Sequence, residues 1–121
     1  MTPRLVRACR KEDVDRTPAW LMRQAGRYLP EYRKVRETHS LLDICANAEL
    51  TSQVTLQPLE RFDLDAAIIF ADILLPLVPM GIDLDFVPGR GPVIRNPIRS
   101  PSDVAALVPF DPRDHLSPTL E

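Results

Sequence analysis

Residues 65–70 read Asp-Ala-Ala-Ile-Ile-Phe, and the five residues after the aspartate are apolar without alternation. Side chains on a strand point to opposite faces in turn, so such a run demands cover on both faces. A helix is expected just before it. Asn47 is a suitable cap, Glu49 complements the positive helix end, and Leu50, Val54, Leu59 and Phe62 keep a roughly helical spacing to about Arg61. Pro58 is expected to kink this helix or end it early. A helix followed by a doubly covered strand is one α/β unit. Asp72 follows at the strand's C-terminal end, where an aspartate taken alone is more often a turn or cap residue.

The flanking segments punctuate this unit. Leu5 and Ala8 suggest a short helix from about Arg4 to Lys11. Asp15-Arg16-Thr17-Pro18 reads as a turn into an extended segment, because proline disfavours helix in the residue before it. Trp20, Leu21 and Met22 then read as a short buried strand. Gly26 permits a turn or a close backbone approach. Pro30 to Thr38 is expected to be helical, with proline in the first turn. Residues 39–45 read as a connector with a small apolar cluster. Ile82, Leu84 and Phe86 alternate with Asp83, Asp85 and Val87, the period of a strand. Gly89-Arg90-Gly91-Pro92 is a turn rather than a phosphate loop, because residues 92–97 read as extended and open no helix. Ser100-Pro101-Ser102-Asp103 is a capping box that starts a helix through Leu107. Beyond Val108 the chain is expected to be an irregular tail.

Composition excludes several classes. At 121 residues the chain is at most one domain. Its net charge of −2 predicts no bulk attraction to nucleic acid or to membranes. The charge is uneven: residues 1–40 hold ten Arg or Lys against five Asp or Glu, while residues 41–121 hold five against twelve. A basic N-terminal third suits an anionic ligand, although a solvated basic segment has the same signature. Cys9 and Cys45 are too few for a disulfide framework and lie beside no histidine. His39 and His115 stand in no ligand or catalytic pattern, and Asp83 and Asp85 read as a solvated strand face rather than a metal site. Met1-Thr2-Pro3-Arg4 is not followed by the apolar core of a signal peptide. The apolar run over residues 66–80 is broken by Asp72, Pro76 and Pro79. A cytoplasmic chain without membrane spans is therefore expected.

The stretch Pro18-Ala19-Trp20-Leu21-Met22-Arg23-Gln24-Ala25-Gly26-Arg27 holds the only tryptophan and two arginines four residues apart. On a helix such residues are neighbours, and two guanidinium forks can each grip a carboxylate bidentately. Continued through Tyr28-Leu29-Pro30-Glu31-Tyr32-Arg33, this string resembles the N-terminal signature of the uroporphyrinogen decarboxylase family. A second block, Leu64-Asp65-Ala66-Ala67-Ile68-Ile69-Phe70-Ala71-Asp72-Ile73-Leu74, also resembles that family. The likeness runs from about residue 5 to about residue 107, with 108–121 as a truncated tail. It corresponds to about the first third of the family's length.

The resemblance implies the N-terminal third of a (β/α)8 barrel, incomplete, with an N-terminal helical extension. In such barrels the C-terminal strand ends carry the chemistry, and about 250 residues complete the fold. It implies removal of the four acetate carboxylates of uroporphyrinogen as CO2, giving coproporphyrinogen, without cofactor or metal. Asp72 matches the family's central carboxylate, both catalytic and substrate-binding. Arg23 and Arg27 match the pair that holds substrate carboxylates, with Gln24 a pocket residue between them. A homodimer is implied for the full-length family member. The pocket Tyr, Ser and His of the later barrel have no counterpart here, so the isolated chain is expected to be inactive. Two alternatives remain open: a non-catalytic fragment that binds porphyrinogen or self-associates, and a related barrel methyltransferase using zinc and a corrinoid.

Overall fold

The structure is a computed structural model that describes residues 2–22 and 28–120. Its centre is helix α4, Ala48–Arg61, with α1 (Arg4–Cys9), α2 (Pro30–Thr38) and α3 (Leu41–Cys45) before it. The cap expected of Asn47 forms: its Oδ1 accepts from the Leu50 N–H at 2.9 Å. Pro58 does not end α4 early, since the helix runs on to Arg61. It stands in the final turn, where few backbone bonds lie beyond it, and its carbonyl accepts from the Phe62 N–H at 3.0 Å to close the helix.

Residues 39–45, expected as a connector, are half helix. Ser40 caps α3: its hydroxyl accepts from the Asp43 N–H at 3.1 Å, and the Asp43 carboxylate accepts from the Ser40 N–H at 2.8 Å. Helix α1 stops short of Lys11, which takes a φ of +59°. Leu29, Tyr32, Ile44 and Val54 form the core, so it sits where α2, α3 and α4 meet. Val35, Leu50 and Phe70 pack against it, with the Tyr32 and Phe70 rings 5.6 Å apart.

The β structure departs most from expectation. Residues 66–70 and 20–22, both expected as strands, are not β-strands among the described residues. A strand is regular only when neighbours take up its backbone bonds. Apolar cover is missing as well: Ile68 is 58% exposed and Ile69 54%. The sheet that does form is an antiparallel hairpin of β1 (Leu84–Val87) and β2 (Gly91–Ile94), with Leu84 opposite Ile94 and Val87 opposite Gly91. Gly89 and Gly91 turn it at φ values of +76° and +80°, where a side chain would be strained. Asp83 and Asp85 are not simply solvated: Arg95 reaches both carboxylates at 2.9 Å.

The capping box at Ser100 and Asp103 opens α5, which ends at Ala105 rather than Leu107. The tail, expected to be irregular, holds α6 (Pro112–His115) and α7 (Ser117–Leu120), and α7 packs on α4.

Candidate functional site

The segment carrying Asp72 is pinned at three points. At its start the Asp65 side chain is 5% exposed, and it accepts from the Ala19 N–H at 2.8 Å. The Asp65 N–H in turn donates to the Ala19 carbonyl at 2.9 Å. Arg4 donates to the Asp65 carboxylate, and the Arg16 guanidinium stands 3.3 Å from it. The Ala19 N–H, helped by Arg4 and Arg16, holds the Asp65 carboxyl below its ordinary range although burial opposes this. In mid-segment the Phe70 N–H donates to Thr55 Oγ1 on α4 at 2.9 Å. At the end, Asp72 Oδ1 accepts from the Leu74 N–H at 2.8 Å, and the Asp72 carbonyl accepts from the Leu75 N–H at 3.2 Å. These bonds start the 3₁₀ turn Leu75–Leu77.

Asp72 thus behaves as a turn aspartate. A carboxylate has about four acceptor sites, and the Leu74 N–H takes one. The Cys45 thiol is buried next to this turn. Burial, with the Asp72 charge beside it, pushes its pKa up to about 11, and the Asp72 main-chain N–H works against that. Arg23, Gln24 and Arg27 lie outside the described residues.

Two arginines of the basic N-terminal third serve the fold. Arg4 grips Asp15 at 2.6 and 2.8 Å as well as Asp65, and Arg16 reaches Asp63 at 2.8 Å. A concavity of about 590 Å³ lies between α2 and α4 and includes His39, Leu56 and Gln57 in its lining, but not Asp72. Among the described residues, no three His, Cys, Asp or Glu converge as metal ligands would. Nor is any helix among them long and apolar enough to cross a membrane.

The description of the uroporphyrinogen decarboxylase (URO-D) family matches residues 1–121, the whole chain. The chain belongs to the uroporphyrinogen decarboxylase family. The uroporphyrinogen decarboxylase of Chloroflexus aggregans is 57% identical over 121 residues, covering all of this chain and 34% of that protein. The one from Roseiflexus sp. is 52% identical over 118 residues, 98% of this chain and 34% of its own. The one from Streptomyces griseus is 56% identical over 109 residues, 90% and 30% respectively. The chain therefore spans about a third of the length of the curated relatives it matches.

For a URO-D segment, the structure adds residues that spacing did not mark. Asp65 lies inside the matched second block, yet nothing in its spacing shows that Arg4 and Arg16 are its partners. Thr55 is a polar residue on the buried side of α4, and a buried hydroxyl needs a partner. That requirement is the signal by which it was detectable.

Proposed function

We propose that this chain supplies the first third of a uroporphyrinogen decarboxylase, including the carboxylate that holds the pyrrole nitrogens. Asp72 carries the proposal: it stands on a pinned turn, in the string Phe70-Ala71-Asp72-Ile73-Leu74 that resembles the family's block. The substrate's pyrrole N–H groups point inward, so one fixed carboxylate accepts several of them. Each charge-assisted bond contributes roughly 1.5–3 kcal/mol when desolvated.

Loss of CO2 leaves an electron pair that needs a sink. A proton added to the pyrrole carrying the acetate makes that ring cationic. The bond to the carboxylate carbon then breaks, CO2 departs, and its electrons neutralise the ring. A proton delivered to the side-chain carbon and one released from the ring leave a methyl group. Each cycle therefore consumes one proton per CO2. The Asp72 charge stabilises the cationic ring. Arg23 and Arg27 hold the outer carboxylates, with Gln24 beside them. An arginine holds its proton far above physiological pH and is a poor acid, so its role is capture rather than proton delivery.

Exposed Ile68, Ile69 and Ile73 form an apolar strip on this segment. In our reading further β/α units cover it in a completed barrel, which supports the (β/α)8 assignment. The free thiols of Cys9 and Cys45 are the state that a reducing cytoplasm maintains. The same strip favours a second behaviour for the 121-residue chain alone: self-association without turnover.

The test joins residues 1–121 in register to the remaining two-thirds of the Chloroflexus aggregans protein, with porphyrin products separated by reverse-phase chromatography. The chimera is expected to form coproporphyrinogen, and the 121-residue chain alone to form none. Asp72→Asn should cut kcat severely, and Arg27→Ala should raise KM or stop turnover. Wild-type rates in both variants would sink the assignment.

A further inference from the structure

Three hydrogen bonds tie the segment before Asp72 to α4 and α3. The Phe70 N–H donates to Thr55 Oγ1 at 2.9 Å, and Thr55 Oγ1 donates to the Thr51 carbonyl at 2.7 Å. Thr51 Oγ1 donates to the Ile44 carbonyl at 2.7 Å. The next residue, Cys45, places its thiol beside Asp72, which follows Phe70 by two residues. Thr51 and Thr55 are 3% and 8% exposed, so water does not compete for these bonds.

The direction of each bond is fixed. A hydroxyl has one proton, and Thr55 gives its own to the Thr51 carbonyl, so only lone pairs face Phe70. The Phe70 N–H therefore has a matched acceptor at one place. The Phe70 ring packs on Tyr32, which limits rotation of the segment about that bond. Two residues span at most about 7 Å of chain, so the Phe70 anchor lies close to Asp72 along the backbone.

We infer that Thr55 is a positioning residue that sets where the Asp72 carboxylate stands in the reaction. The inference rests on the catalytic reading of Asp72 and adds to it the group on α4 that aims that side chain. Thr55→Val keeps the side chain's shape and removes the acceptor. Thr55→Ser keeps the acceptor and removes a methyl group. A misplaced reacting group costs turnover more than binding.

The experiment measures kcat and KM for the Chloroflexus chimera carrying each variant, beside Asp72→Asn. It also follows exchange of the Phe70 amide by NMR in the 121-residue chain. Thr55→Val is expected to lower kcat by about ten-fold or more with KM within about two-fold, and Thr55→Ser to restore kcat to within about three-fold. The Phe70 amide should exchange faster in Thr55→Val and at the wild-type rate in Thr55→Ser. Should Thr55→Val not fold, Thr55→Ala removes the same acceptor and is scored in the same way. An inactive Asp72→Asn beside a Thr55→Val of wild-type kcat overturns the inference. So does an equal loss in the valine and serine variants, which would mark a packing role only. A fully active Asp72→Asn instead overturns the reading of Asp72 on which the inference stands.

Discussion

Asp65 and Ala19 hold each other twice, through the Ala19 N–H to the Asp65 carboxylate at 2.8 Å and the Asp65 N–H to the Ala19 carbonyl at 2.9 Å. The pair staples the N-terminal arm to the segment that leads to Asp72. Arg4 and Arg16 close around the same carboxylate. Trp20 follows Ala19 directly and is the chain's only tryptophan, so its emission reports the staple.

The staple depends on charge. The folded pKa of Asp65 lies below its ordinary 3.8, so its contribution is present above the unfolded value and disappears as the pH falls through the folded one. Trp20 emission is expected to shift as the pH drops below about 4, with no change between about pH 5 and pH 8. Asp65→Asn should show the acid-type emission at pH 7 and a lower unfolding midpoint. An unchanged spectrum in that variant would refute the staple.

Ile44 is fully buried where α2, α3 and α4 meet, and its carbonyl receives Thr51. Ile44→Ala empties that point. A loss of about 2–5 kcal/mol in urea unfolding is expected, the range for large-to-small changes in packed cores. A change below about 1 kcal/mol would mean the three helices do not share this core.

The caps are separable from the core. Ser40→Ala removes the acceptor for the Asp43 N–H, and Asn47→Ala the acceptor for the Leu50 N–H. Each is expected to cost about 1 kcal/mol. The two sites cap different helices, α3 and α4, so the pair of substitutions should cost nearly the sum, which chemical denaturation of the double variant measures.

The two thiols differ in reactivity. Cys9 is exposed, whereas Cys45 is buried with its pKa pushed up to about 11. Iodoacetamide at pH 8 should label Cys9 first and Cys45 only on unfolding, because the thiolate is the nucleophile. Peptide mass mapping distinguishes them. Early labelling of Cys45 would show that the helices around Asp72 open readily.

Ile68, Ile69 and Ile73 present apolar surface with no cover, and Ile73 is 92% exposed. Exposed apolar surface promotes association. Serine at all three positions should lower the sedimentation-average mass of the 121-residue chain. No change would show that self-association, where present, uses another face.

Much of the local structure was legible in the residues themselves. The Asn47 and Ser100 caps, the helix over Pro30–Thr38 and the turn at Gly89 each follow from backbone groups that must be satisfied within a few positions. The helix α3 is equally signalled by Ser40 and Asp43, but its apolar stretch is too short to show a period. Strands at 20–22 and 66–70 were expected from apolar content. That content shows what a segment needs on its faces, whereas a strand exists only once neighbours bond its edges. Among the described residues, neither segment is a β-strand.

The sequence by itself determined the family and the helix caps at Asn47 and Ser100, because these depend on residue identity and on bonds a few residues long. Only the tertiary structure decided that Arg4 and Arg16 converge on Asp65, that Thr55 receives Phe70, and that Cys45 lies beside Asp72. Their separations along the chain range from 15 to 61 residues for the bonds that carry them. No periodicity reaches across such distances. The buried polar groups of each were free to choose among many partners until packing of α2, α3 and α4 left one within reach.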